Sequence, residues 1–472
     1  MNKKLILNNK IFINISKISD KLKYKTYLIG GYVRNLLLFN IISYDIDIVT
    51  TGDSFLLAKY FSKKIITNKI FFFKRYKTAI IKYNNYNIEF VSTRKEYYNI
   101  YNNKPKIKIL NSIIDDQKRR DFTINSIAIC LNKKNFLKII DKYNGIKDLK
   151  NKIIRTPINP NITFYEDPLR MIRAIRFSTQ LNFNINKKIK ISIINNIDRI
   201  RIIPIERIVQ EFNKILLSKK PSIGLKLLLK YGFLSIILPE LLAINKINNI
   251  NNLIYKKNFK NILSIIDNIN TNNIWLKWAI LLKDIGKPIS KKYIKNKKFT
   301  FKYNEIIASN MIPNIFHRLK LPMKNNMKYV QNIIKYNNIL IKLSKKNINS
   351  NIIKKYIFKI GYNNIKDIFK LENSYINNVI NNKNKKKLKN NIINIFKKIK
   401  NINKKKNINN IKLSINGNNI MKIFNIKKGE KVGIIKKYLF NLIFYEKIKN
   451  NYKDIYKFIK KKYNKLKLKF NL

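Results

Sequence analysis

The chain predicts an α+β protein, a mixed α/β N-terminal part followed by a long all-helical one. Short runs of alternating apolar residues, interrupted by a Gly-Gly turn, are confined to about the first 150 residues. From Asp167 onward apolar residues recur at spacings of three and four, and glycine becomes sparse. At 472 residues and 45% hydrophobic composition, the chain can bury several cores.

Residues 1–25 read as an amphipathic helix, and Lys25–Ile29 as a short strand running into Gly30-Gly31. A helix follows over Tyr32–Phe39, then a period-two strand at Asp45–Val49 and a helix near 52–64. Thr78–Lys82 and Asn87–Ser92 are strand-like. Tyr97–Asp115 has no clean period and contains Pro105, which predicts a loop. A short helix follows Arg119, then an apolar run around Phe136–Ile140. Residues 383–412, low-complexity Lys/Asn sequence, are expected to contain a linker. The expected domains are a head over 1–150, a helical neck over 151–215, a helical body over 216–345 and a helical tail over 346–472.

One cysteine, Cys130, excludes a disulfide framework and fits a reducing cytoplasm. One histidine, His317, excludes a His-cluster metal site and reads as an ordinary helix residue. Trp275 and Trp278, three apart, read as packing residues. No run of apolar residues approaches a membrane span, and the N-terminus lacks the apolar core of a secretion signal, so a cytoplasmic location is expected.

The formal charge of +75 suggests a polyanionic partner. Of the 100 basic residues 87 are Lys, and Lys, Asn and Ile all have AT-rich codons, so compositional drift accounts for much of this charge. Arginine is the more informative residue. Twelve of the 13 lie at or before Arg207, and the first 211 residues hold 16 of the 25 acids. A planar guanidinium does what lysine cannot. Chemistry is therefore expected in that segment.

Asp45 and Asp47 sit at i and i+2 of a strand, which puts both carboxylates on one face, about 7 Å apart. Such a pair suits two Mg²⁺ ions, or simply two solvated acids. Fifteen residues upstream of Asp45, Gly30-Gly31-Tyr-Val-Arg34 forms a strand–turn–helix in which backbone N–H groups can approach a phosphate, with Arg34 as a clamp. A phosphate cradle before paired carboxylates is the arrangement that two-metal phosphoryl transfer uses.

These residues resemble the first motif of the class II tRNA nucleotidyltransferase (CCA-adding enzyme) and bacterial poly(A) polymerase family, within the DNA polymerase beta superfamily. Arg119-Arg-Asp-Phe-Thr-Ile-Asn125 is similar to the second motif, and Asp141 to Asp148 to the head–neck hinge. Glu166-Asp-Pro-Leu-Arg170-Met-Ile-Arg173-Ala-Ile-Arg176 is like the fourth. Glu206-Arg207…Glu211, with Leu238-Pro-Glu240-Leu beyond, is like the fifth. The resemblance runs from about residue 25 to 465 and implies a nucleotidyltransferase head with an elongated all-α neck, body and tail.

The fourth motif also has a chemical reading. Asp167 accepts and Arg170 donates, so the pair can imitate a Watson–Crick edge and select C or A, which share an amino donor beside a ring-nitrogen acceptor. A plain i,i+3 helix salt bridge is the alternative. The resemblance assigns the template role to Asp167 and Arg170, with Arg173 and Arg176 lining the nucleotide pocket, and a triphosphate contact to Arg120. Asp121 and Asn125 suit ribose recognition or helix capping. Glu89 is a candidate third acidic group.

Two features depart from the family pattern. Asn35 stands where an Asp is usual, which predicts reduced efficiency rather than inactivity. Leu281-Leu-Lys-Asp-Ile-Gly-Lys-Pro288 resembles the His-Asp signature of HD phosphohydrolase domains, with Lys283 in the His position and Asn261 and Asn304 at two further ligand positions. A protonated amine cannot ligate a metal. The expectation is a degenerate HD-like fold with neither metal nor phosphohydrolase activity. Near the C-terminus, Asn416-Gly417 and Lys428-Gly429 match turns in the last helical segment of HD-containing tRNA nucleotidyltransferases.

The resemblance implies CCA addition: CMP, CMP and AMP transferred from CTP and ATP to the tRNA 3′ end, with pyrophosphate released and two Mg²⁺ ions on Asp45 and Asp47. The basic body would grip the acceptor and T arms of the tRNA, and the 97–115 segment would help the pocket switch from C to A. No protein partner or membrane is implied. A poly(A) polymerase, a partial CC- or A-adding enzyme, and a non-catalytic RNA-binding remnant are the alternatives.

Overall fold

The computed structural model describes residues 4–7, 9–99, 102–246, 252–294, 298–344, 350–380, 382–406, 413–444 and 447–470. The chain divides into two compact units, Met1–Lys246 with His317–Leu321, and Ile247–Phe316 with Pro322–Leu472. The expected head and neck both lie in the first unit.

The head is built on a mixed sheet. Its strands are β1 (Thr26–Ile29), β2 (Asp45–Thr50), β3 (Ile70–Phe73), β4 (Thr78–Tyr83), β5 (Tyr86–Ser92), and two later ones, Ala128–Cys130 and Ile139–Ile140. Their order is β3-β4-β5-β2-β1 followed by the two later strands. β2 and β5 are parallel, and β1–β2, β3–β4 and β4–β5 are antiparallel. The Ser54–Lys64 helix, capped by Asp53, leads out of β2.

Period two decides which face does what. Ile46 and Ile48 are fully buried on one face of β2. Asp45 and Asp47 project from the other, in the same rows as Asn87 and Glu89 of β5. One rung further, this second face is closed by a cluster of Tyr27, Ile29, Val49, Val91, Ile113, Ala128 and Cys130. The packed rung holds the strands rigidly, and the carboxylate rung beside it stays open.

Two sequence expectations are corrected here. The 97–115 segment is not a loop. Arg94–Asn99 and Asn102–Ile109 form an antiparallel ribbon, and Ile113–Lys118 is helical. Among the described residues the ribbon pairs with no further strand, and Pro is tolerated on such an edge. The 383–412 segment is not a linker through most of its length, since Asn382–Lys406 is one helix. It buries Ile392, Ile395 and Ile399, and Phe396 stacks on Phe369 at 4.2 Å. Residues 407–412 lie outside the described residues.

The N-terminal helix is divided into Lys4–Leu7 and Lys10–Lys21, with residues 1–3 outside the described residues. The helical part is not purely α. Ile153–Ile154 pairs in parallel with Asn184–Ile185, and Lys292–Ile294 with Lys298–Thr300 as a hairpin.

In the second unit, Trp278 is fully buried and Trp275 packs against Phe316, so both act in packing. At the C-terminal end Ile415, Ile420, Phe424, Ile435, Leu439 and Ile455 share a core, and Asn416 caps the Gly417–Phe424 helix. No helix among the described residues is long and apolar enough to cross a membrane.

Candidate active site

The turn after β1 fixes the first group of residues. Gly30 has φ +82°, a region that L side chains avoid, and a Cβ there would collide with Asp47 Oδ2. Glycine is thus required twice over. The Gly31–Phe39 helix starts directly beneath, presenting its N-terminus to the cleft. Arg34 donates from Nη1 to Asn125 Oδ1 at 2.8 Å, and from Nε and Nη2 to Asn35 Oδ1 at 3.1 and 2.9 Å. Asn35 therefore does by amide what a carboxylate would do by charge, and it orients the guanidinium over Phe177.

Asp45 Oδ1 accepts from Asn87 Nδ2 at 3.0 Å. Desolvation raises the pKa of Asp47 above the usual carboxylate range; Asp45 adds to the rise and Arg120 opposes it. Glu89 is raised too, by burial and then by Asp47. Negative charge is thus in excess along this rung, and a divalent cation would relieve it. Among the described residues no three His, Cys, Asp or Glu side chains converge on one metal position. The chain would then supply two carboxylates, Asp45 and Asp47. Phosphate oxygens and water would complete the shell, as Mg²⁺ accepts. The donor set fits such an ion.

The second group comes from the Arg119–Asn125 segment. Buried Asp116 accepts from Arg119 and Arg120, fixing both, and they hold its pKa below the usual value despite burial. Asp121 Oδ1 accepts from Phe122 N and Asn125 Nδ2, and Oδ2 from Arg173 Nε and Nη2 at 2.8 and 2.6 Å. Burial opposes ionisation of Asp121, but Arg173 and Asn125 outweigh it and hold the carboxyl at about 2. Asp121 is both a local cap and the link from this segment to the next helix.

That helix, Leu169–Leu181, opens after Pro168 and carries the third group. Arg170 is 7% exposed; it donates to Arg119 O at 2.8 Å, to Glu166 Oε2 and to Thr163 O. Asp167 instead accepts from Arg207 Nη2 at 3.3 Å and from Leu169 N. The two residues do not form the i,i+3 salt bridge with each other. Arg176 Nε and Glu211 Oε2 lie 2.9 Å apart, an ion pair by distance. Burial and then Arg173 lower the Arg176 pKa to about 10. Burial lowers Arg34 to about 10 as well.

These groups line two adjoining cavities of about 760 and 550 Å³. Gly30, Gly31, Arg34, Asp45, Asn125 and Arg176 line the first, and Asp167, Arg170 and Arg207 the second. Asp47, Glu89, Arg120, Asp121 and Arg173 border both. Every expected site residue is therefore on one cleft. The sequence reading missed Phe177, whose ring carries Arg34, Arg173 and Arg176 at 5.0, 5.5 and 4.0 Å from its centroid. It also missed Asn87, Asp116 and Lys82. Register with Asp45 could have flagged Asn87; a Phe on an amphipathic helix carries no such signal.

In the second unit, Asp284 is buried and bound by Lys283 Nζ at 2.6 Å and Lys287 Nζ at 2.9 Å. Burial would raise its pKa, but the two ammoniums hold it at about 2. Asn304 Nδ2 donates to Lys283 O and lines the small cavity here. Asn261 is not among the lining residues; Asn258, one turn earlier, accepts from Lys287.

A parallel β2–β5 pair bearing Asp45 and Asp47, with a glycine turn and an arginine-lined cleft, defines a nucleotidyltransferase head. Residues 26–155 match the poly A polymerase head domain, and residues 182–244 a probable RNA and SrmB-binding site of polymerase A. The CCA-adding enzyme of Lactobacillus helveticus is 35% identical over 209 residues, 43% of this chain and 50% of that protein. The A-adding tRNA nucleotidyltransferase of Aquifex aeolicus is 37% identical over 163 residues, 34% of this chain and 19% of that protein. The match thus spans about half the length of the CCA-adding relative. A solved CCA-adding enzyme in an apo form has TM-score 0.59 at 21% identity, covering 97% of this chain and 94% of that one. A tRNA nucleotidyltransferase complexed with a primer tRNA and an incoming ATP analog has TM-score 0.57 at 22% identity, covering 82% and 99%. Residues 26–155 and 182–244 thus match the head and RNA-binding models of poly A polymerases, and the fold likeness to solved CCA-adding enzymes extends over the helical part.

Proposed function

We propose that this protein is a CCA-adding tRNA nucleotidyltransferase. It transfers CMP, CMP and AMP from CTP and ATP to a tRNA 3′ end without a nucleic-acid template and releases pyrophosphate. The observation that carries this is the pair of adjoining cavities. The carboxylates Asp45 and Asp47 open on one side, the base-reading candidates Asp167 and Arg170 on the other, and Asp47, Arg120, Asp121 and Arg173 stand between.

The terminal hydroxyl attacks the α-phosphate, and pyrophosphate leaves in line with it. Asp45 and Asp47 would hold two Mg²⁺ ions, which supply charge neutralisation at the phosphates. The Gly30-Gly31 turn offers backbone N–H groups to the triphosphate, and Arg120, fixed by Asp116, adds a guanidinium. Arg34 and Arg176 complete the cationic wall around Phe177. Asp167 accepts from the exocyclic amino group of C or A. Arg170 reaches the ring nitrogen by exchanging its Glu166 contact for the base. The net positive charge attracts tRNA by its phosphates.

The test is incorporation by the purified chain on tRNA lacking its 3′ end, given CTP alone, ATP alone, then both. CCA addition needs both nucleotides for a full-length product. Incorporation of A alone would replace this reading with that of the A-adding relative. Asp45→Asn should abolish incorporation; unchanged incorporation would reject catalysis at this cleft.

A further inference from the structure

Beyond the cleft, the carboxylate face of the sheet continues to an exposed aromatic edge. Register places Asp47, Glu89, Ile80 and Phe71 in one row across β2, β5, β4 and β3. The row beside it runs Val49, Val91, Thr78 and Phe73. Side chains in one row share a face, so Phe71 and Phe73 lie on the face of Asp47, about 14 Å from it by strand spacing. Phe71 is 50% and Phe73 47% exposed. Phe72, between them, points to the other face and packs edge-on against Phe55. Exposed rings on an edge strand are costly unless something covers them.

Their surroundings fix the chemistry of that partner. Lys82 lines the first cavity and holds its ammonium 5.8 Å from the Phe71 centroid. Residues 54–88 contain seven Lys and one Arg with no Asp or Glu, although the acids of this chain concentrate in its first 211 residues. Rings flanked by cations are a stacking platform for single-stranded nucleic acid.

The direction of the reaction, which rests on the transfer reading above, says which strand would lie there. On that reading pyrophosphate would leave toward Gly30-Gly31, which lies at the end of β1 and on one side of Asp47. In-line displacement brings the attacking hydroxyl from the opposite side, across β5 and β4 toward β3. We propose that Phe71 and Phe73, with Lys82, form a platform on which the single-stranded 3′ end of the acceptor RNA stacks, immediately upstream of its attacking nucleotide.

The test uses the full chain and a labelled stem-loop RNA with a short single-stranded 3′ overhang, its binding read by fluorescence anisotropy without nucleotide. F71A/F73A should weaken overhang binding about tenfold or more and leave blunt-ended RNA unaffected. Phe71→Trp should keep the affinity and Phe71→Leu should not. In the incorporation assay the double variant should raise the RNA KM while the nucleotide KM stays unchanged. Unchanged overhang binding, or a loss that appears in the nucleotide KM instead, overturns the platform. So does concentration-dependent self-association that the double variant abolishes with RNA affinity intact. If the parent chain binds the overhang through these rings yet transfers no nucleotide, the transfer reading fails and the platform stands.

Discussion

Two acidic sites in this molecule meet their cations in opposite ways. In the head, Asp45 and Asp47 face open space; Asp45 bonds to neutral Asn87, and desolvation leaves the Asp47 pKa raised. In the second unit, Asp284 is closed off by two ammoniums, and its pKa falls to about 2. The first site stores unbalanced charge for a ligand to balance. The second has balanced its charge internally and leaves a cation nothing to neutralise. A carboxylate in a helical body or on a strand says little by itself; its partner decides.

The contrast predicts that the two sites fail differently. Asp47→Asn should cut incorporation by about a hundredfold or more, with thermal stability and RNA affinity little changed. Steady-state kinetics and a melting curve on the same preparation check this, and a parallel loss of stability would erase the distinction. Asp284→Ala should leave the buried Lys283 ammonium uncompensated beside a partly buried Lys287 and destabilise the second unit by about 3–5 kcal/mol. Incorporation per folded molecule should hold. Denaturant titration reads the loss, and a variant as stable as the parent would show that the lysines reach solvent.

A third prediction sharpens the head. Asn35→Asp should strengthen the hold on Arg34 by setting an ionised acceptor against the guanidinium, raising kcat/KM for nucleotide by about two- to threefold. A fall would mean that the amide is the better partner at this position.

The last prediction concerns a buried carboxyl of the second unit. Glu372 accepts from Leu340 N and Ile341 N, yet burial outweighs these bonds and raises it from 4.5 to about 8. A raised carboxyl pKa gives stability that is complete below the unfolded value of about 4.5 and lost as pH rises through about 8. The melting temperature of the parent chain should therefore fall across that window more than that of Glu372→Gln. Parallel curves would remove the coupling.

The carboxylate rung was legible because its signals are local. Period two put Asp45 and Asp47 together, and the Gly30-Gly31 turn before them comes to lie against Asp47. The Arg94–Ile109 ribbon was not legible, because its sequence has no clean period and contains Pro105. The Asn382–Lys406 helix was hidden by its Lys/Asn background, although Ile392, Ile395 and Ile399 keep helical spacing. The pair proposed to read the base, Asp167 and Arg170, was legible as residue types but not as geometry. Arg170 turns to Glu166 and a backbone carbonyl, and Asp167 turns to Arg207, 40 residues away in sequence. No local pattern encodes such a partner.

The ring of Phe177 has one more implication. Three guanidiniums crowd around it, and those of Arg34 and Arg176 are already less basic than usual. Asp121 and Glu211 already balance Arg173 and Arg176, whereas Arg34 is held by the neutral amides of Asn35 and Asn125, so an incoming anion would find uncompensated charge there. In the proposed reaction the leaving pyrophosphate would be such an anion, so the groups that speed its departure from the α-phosphate would also slow its escape from the protein, and added salt, by screening them, would weaken both effects together.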